Sequence, residues 1–122
     1  GSNTLFFGGT RINTNDVVMH PNWNPNTAAN DIAVLRISSV SFSNVIQPIA
    51  LPSGAELNNL FVGANALASG FGRTSDSGSI GTNQQLSSVT IPVITNAQCA
   101  AVYGPAFVHA SNICTSGAGG KG

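Results

Sequence analysis

The segment Asn30-Asp31-Ile32-Ala33-Val34-Leu35-Arg36-Ile37 sets one carboxylate at the head of an almost unbroken apolar run. The chain has only four acids, Asp16, Asp31, Glu56 and Asp76. An ionised carboxylate beside Ile32, Val34 and Leu35 costs several kcal/mol unless polar or charged partners satisfy it. An acid that orients a histidine and stabilises the imidazolium formed during proton transfer is one reason to place it there. A carboxylate capping the start of a strand is the other. Two histidines could work with it, His20 in a His-Pro turn and His109. Two cysteines, Cys99 and Cys114, complete the reactive inventory. Their spacing excludes a CxxC redox pair, and with His109 between them they remain one ligand short of a zinc site. A disulfide, with Cα atoms about 4.4–6.8 Å apart, is the better reading. It implies an oxidising compartment and hence secretion. Two unpaired buried thiols are the alternative.

The elements that would position these residues read as short strands. Gly, Pro, Ser, Asn and Thr recur every eight to twelve residues, and no stretch sustains a 3.6-residue apolar period. Strands are predicted over residues 5–12 (with a bulge at Gly8-Gly9), 16–19, 32–37, 65–71 and 86–93. The asparagine-rich residues 22–30 form a loop leading into Asp31. Residues 44–52 read as an extended linker, because Pro48 and Pro52 bias the residues before them away from helix. Residues 95–103 form the one expected helix, capped by Thr95 or Asn96 and ended by Gly104-Pro105. Residues 74–82 form a Ser/Gly loop. The tail 115–122 is too glycine-rich to be an ordered element by itself. The expectation is an all-β chain whose two groups of strands are each too small to close a barrel and hide their edges.

Composition narrows the function classes. Only 7% of the 122 residues are charged, against about 25% in an average soluble protein. Net charge is zero, and Arg11, Arg36, Arg73 and Lys121 are dispersed. No basic patch exists for nucleic acid. No apolar run approaches the ~20 residues that span a bilayer.

Five fragments resemble trypsin/chymotrypsin-type serine proteases, most closely insect digestive chymotrypsins and collagenase-like members. Val18-Met19-His20-Pro21-Asn22-Trp23-Asn24-Pro25 is similar to the family's HPxWNP loop. Asn30-Asp31-Ile32-Ala33-Val34-Leu35 is similar to NDIALL, and Ile46-Gln47-Pro48-Ile49-Ala50-Leu51-Pro52 to IQPIxLP. Ser69-Gly70-Phe71-Gly72-Arg73-Thr74 is similar to SGWGRT, with Phe71 where Trp is usual. Cys99 and Cys114 have the spacing of the family disulfide before the substrate pocket.

The resemblance implies an incomplete two-barrel chymotrypsin-like fold. Residues 1–43 would end the N-terminal barrel, 44–60 cross over, and 61–122 begin the C-terminal barrel. It implies that Asp31 is the triad acid. Gly122 would stand at the base of the primary pocket, Tyr103 on its flank, and Ala28 in the neighbouring subsite. A glycine at the pocket base favours large apolar side chains over Arg or Lys. Neither the AAH motif that carries the family's histidine nor the GDSGG motif that carries its serine is present. No Gly-x-Ser-x-Gly elbow replaces them. His20 is expected to be structural, and His109, which matches no catalytic position, to lie on the surface.

The chain is therefore expected to be the central portion of a secreted, gut-lumenal endopeptidase, inactive alone and monomeric when complete. It would need no cofactor and no metal. Its partners would be protein or peptide substrates and protease inhibitors, with no nucleic acid and no membrane. A piece of a catalytically dead homologue that binds or regulates is the main alternative, and an unrelated β-sandwich module of about seven strands is a third.

Overall fold

A computed structural model describes residues 1–121. Strand β1 (Val17–Met19) pairs antiparallel with β2 (Ala33–Leu35), in register Val17 opposite Leu35 and Met19 opposite Ala33. A second, separate sheet contains β3 (Asn65–Gly70), β4 (Ser87–Ile94) and β5 (Cys114–Thr115), with β4 in the middle. Asn65 faces Pro92, Gly70 faces Ser87, and Ile94 faces Cys114. Helix α1 (Asn96–Tyr103) follows β4 directly. Short 3₁₀ turns occupy Gly54–Asn58 and Ala118–Gly120.

Local chemistry explains the elements that form. Ile91 and Val93 lie two apart on β4, hence on one face. They are 3% and 5% exposed and form the buried core with Cys114, at 6%. A proline is tolerated at Pro92 because its nitrogen faces the β5 side. There the Pro92 carbonyl accepts from the Ser116 N–H at 2.9 Å, and β5 is only two residues long, so no ladder bond is lost. Thr95 caps α1: its hydroxyl accepts from the Gln98 N–H at 3.1 Å, while the Gln98 side chain accepts from the Thr95 N–H at 3.0 Å. Gly104 ends the helix at φ 86°, ψ 149°, a backbone region that essentially only glycine occupies.

Two expectations are corrected. Residues 5–12 form no strand. Gly8 and Gly9 both take left-handed φ, 71° and 68°, so the chain turns instead of extending. Asn3–Leu5 pairs with residues 84–86 across the molecule: the Leu5 N–H donates to the Gln84 carbonyl at 2.9 Å and the Leu86 N–H to the Asn3 carbonyl at 2.8 Å. The tail is partly ordered, because Cys114 and Thr115 find Ile94 and Val93 as ladder partners.

Little of the chain is buried. Its accessible surface is 9504 Å² at a mass of 12.4 kDa. A folded monomer of that mass exposes about 6,100 Å². Val17, Met19, Val34 and Leu35 on the β1–β2 ribbon and Leu67 on β3 are all exposed. Neither sheet closes into a barrel.

Candidate functional site

Asp31 sits at the end of a tightly bonded loop, residues 20–32. The loop closes at its base, where the His20 N–H donates to the Ile32 carbonyl at 3.0 Å. Inside it, the Asn24 N–H donates to the Ala29 carbonyl at 3.0 Å and the Thr27 N–H to the Asn24 carbonyl at 3.3 Å. The Asn24 side chain accepts from the Asn26 N–H at 3.0 Å, and the Asn30 side chain donates to the Asn22 carbonyl at 2.9 Å. These bonds explain the asparagine-rich composition, since short amide side chains complete turns that backbone groups cannot.

Two residues of the loop take left-handed backbone, Ala28 at φ 54° and Asn30 at φ 57°. Asparagine tolerates that region. For alanine it costs about 1–2 kcal/mol and persists only where neighbours impose it. Next to Asn30, the Ile32 N–H returns to the Asn30 carbonyl at 2.9 Å, closing a three-residue turn around Asp31.

Asp31 is exposed and, among the described residues, makes no hydrogen bond or ion pair. An open face at Asp31 is what residues 1–122 by themselves should show; part-burial against a cavity that fits an imidazole is expected of the complete protein. The β1–β2 ribbon has both faces open, and among the described residues no other strand joins its sheet. The single ion pair among the described residues lies elsewhere, Arg36 to Asp16 at 3.7 Å, with both side chains largely exposed.

His20 behaves as a turn residue. Its Nδ1 accepts from the Asn22 N–H at 3.1 Å and its carbonyl from the Trp23 N–H at 3.1 Å. His109 is not the surface residue expected from sequence. It is half-buried, and its Nε2 lies 3.2 Å from the Thr27 carbonyl oxygen. The Asn112 side chain accepts from the His109 N–H at 2.6 Å, and the Asn96 side chain donates to the His109 carbonyl at 3.0 Å. Asn96 Oδ1 is buried without a protein partner, and nothing in the fold accounts for it.

Cys99 and Cys114 are bonded, with Cα atoms 6.2 Å apart, joining α1 to β5. Beside the bridge opens a cavity of about 680 Å³, lined among others by Tyr103, Phe107, Val108, Ile113, Gly117 and Lys121. Tyr103 is among the residues lining this cavity. Ala28 and Asp31 are not part of its lining. Gly122 lies outside the described residues. No group of three or more His, Cys, Asp or Glu side chains that could hold a metal occurs among the described residues.

A model of the family described as Trypsin matches residues 4–122. The chain belongs to the trypsin family. Among its trypsin-family relatives, "Collagenase" of Hypoderma lineatum is 36% identical over 122 residues, covering 99% of this chain and 45% of that protein. A solved HL collagenase structure superposes with a TM-score of 0.87 at 36% identity, covering 99% of this chain and 50% of that one. A scabies mite inactivated protease paralogue, S-D1, matches at TM-score 0.81 over 94% of this chain and 50% of that one. At 20% identity that likeness shows the fold alone. The trypsin-family chain thus has the chymotrypsin-like fold, mostly strands with one helix, and spans about half the length of the relatives it matches.

Proposed function

We propose that this chain is a portion of a secreted serine endopeptidase and supplies the acid of its Ser-His-Asp triad. The observation that carries the reading is the turn around Asp31: within the family's NDIAVL segment it presents a carboxylate free of partners among the described residues. In the complete protein Asp31 accepts a hydrogen bond from a histidine ring nitrogen and so fixes its tautomer. The histidine takes the proton of the attacking serine hydroxyl and later delivers it to the leaving amine. Asp31 stabilises the intervening imidazolium, and backbone amides hold the oxyanion. Neither His20 nor His109 bonds to Asp31, and no GDSGG segment is present, so residues 1–122 alone hydrolyse nothing.

The primary pocket prefers large apolar side chains. The cavity at Tyr103 supports this: Phe107, Val108 and Ile113 line it, no acid does, and Lys121 would repel a basic side chain. The separation of the two sheets supports a crossover at residues 44–60 between portions of two barrels. The disulfide supports secretion, since such bridges persist in oxidising compartments. A gut-lumenal setting, monomeric state and recognition by protease inhibitors are part of the same reading.

The deciding experiment uses the complete parent protein and fluorogenic peptides differing only in the residue before the scissile bond. Cleavage after Phe, Tyr, Leu or Met in preference to Arg or Lys is expected. A parent whose histidine or serine is substituted, and which cleaves none, is instead a catalytically dead binding or regulatory homologue.

A further inference from the structure

We propose that His109 is a positioning residue, a latch that holds the Thr27–Ala28 backbone and so fixes the subsite next to Asp31 from the other side of the molecule. The kinetic part of this inference rests on the endopeptidase reading; the latch itself does not.

The loop has a conformational problem that its internal bonds leave partly unsolved. Ala28 is left-handed, and alanine does not stay so unless the residues on both sides are held. On one side the Ala29 carbonyl is fixed by the Asn24 N–H. On the other, the Thr27 carbonyl faces His109 Nε2 at 3.2 Å. This is the one hydrogen bond, among the described residues, that joins the 20–32 loop to residues 61–121. His109 can serve as an anchor because its own backbone is clamped at both polar groups, by Asn112 at the N–H and by Asn96 at the carbonyl. Asn96 is the first residue of α1, which the Cys99–Cys114 bridge ties to β5. The path from the disulfide to the Ala28 backbone is therefore continuous. Because Nε2 faces a carbonyl, the ring must carry its proton there, which the cation and one of the two neutral tautomers provide.

The test uses the complete parent protein as wild type, His109→Ala and His109→Gln. The Gln side chain keeps an N–H donor at comparable reach. Hydrogen exchange of backbone amides in residues 24–29 is read by mass spectrometry. KM and kcat are read for a one-residue ester and for an extended peptide that fills the neighbouring subsite. In His109→Ala, exchange across residues 24–29 should rise about two- to tenfold, the equilibrium ratio of one neutral hydrogen bond. KM for the extended peptide should rise by a similar factor, with kcat within about twofold and the one-residue ester unchanged. His109→Gln should recover most of both effects.

Unchanged exchange at residues 24–29 in His109→Ala overturns the latch. Exchange that rises equally throughout β4 and α1, without rescue by Gln, overturns it too, since His109 would then only stabilise the fold. If exchange responds but the extended-peptide KM does not, the subsite role is overturned. If exchange responds as expected while wild-type protein cleaves no peptide, the latch stands and the endopeptidase reading fails.

Discussion

The Ile32 N–H donates to the Asn30 carbonyl at 2.9 Å, so Asp31 occupies the centre of a turn rather than a place in β2. The turn fixes the backbone of Asp31 without using its carboxylate. Asp31→Asn in the complete parent should therefore leave the circular dichroism spectrum unchanged. Turnover should fall by roughly 10⁴, the size known for the equivalent change in a Ser-His-Asp triad. A loss below tenfold would remove Asp31 from the mechanism.

Asn30 holds the same turn by two means, a left-handed φ and a side-chain bond to the Asn22 carbonyl. Asn30→Ala loses both. It should destabilise the parent by about 1–2 kcal/mol, combining one hydrogen bond with a less tolerant backbone. Asn30→Gly should cost less, because glycine accepts the conformation. Chemical denaturation of the three proteins checks the order.

The Cys99–Cys114 bridge closes a loop of separation 15. In the chain-entropy account such a loop contributes about 3 kcal/mol. The double variant Cys99→Ser, Cys114→Ser should lose about that much unfolding free energy in chemical denaturation, with a lower midpoint. If stability is unaffected, the bridge is incidental to the fold.

Helix α1 is bounded by two residues with separate jobs. Thr95→Ala removes an N-cap and should cost about 1 kcal/mol. Gly104→Ala forces a Cβ into the region at φ 86° and should cost about 1–3 kcal/mol. Thermal melts of the parent check both, and additivity is expected because the sites lie at opposite ends of the helix.

The excess accessible surface predicts the behaviour of residues 1–122 alone. Exposed apolar patches beyond a few hundred Å² bind hydrophobic dyes and drive association. Purified chain should enhance anilinonaphthalene sulfonate fluorescence and sediment as species larger than 12.4 kDa. A dye-silent monomer would mean that the β1–β2 ribbon is covered in solution.

Sequence reasoning succeeded where the deciding interactions are local. Helix α1 follows from the Thr95 cap and the Gly104-Pro105 stop, all within one short segment. Strands β3 and β4 follow from their apolar content and flanking turn residues, to within about a residue at each end. It failed where a distant partner decides. Strand β5 exists because Ile94 and Val93 are already in place, and no feature of a glycine-rich tail announces that. Residues 5–12 have strand-like composition, but two left-handed glycines break them and the partner of Asn3–Leu5 lies some eighty residues away. At the site, the motif around Asp31 and the distance of Tyr103 from Cys99 are the sequence grounds on which the triad acid and the pocket flank are proposed. The exposure of Asp31 follows from the open β1–β2 ribbon, because burial depends on what packs above it. His109 was missed because its partner is a backbone carbonyl 82 positions earlier. The only local hint was Asn112 three residues on, the spacing of a side-chain-capped turn.

The pairing of Asn3–Leu5 with residues 84–86 sets an order of assembly. Two backbone bonds and the Gln85–Thr4 side-chain bond at 3.3 Å hold it, across a separation of 81. Three neutral bonds contribute about 1.5–4.5 kcal/mol. Closing a segment of that length costs about 4 kcal/mol by the logarithmic law for flexible chains. The two nearly cancel, so this seam cannot nucleate anything. It zips only after the hairpin of β3 and β4 exists, and it is the first seam to part when the molecule begins to come undone.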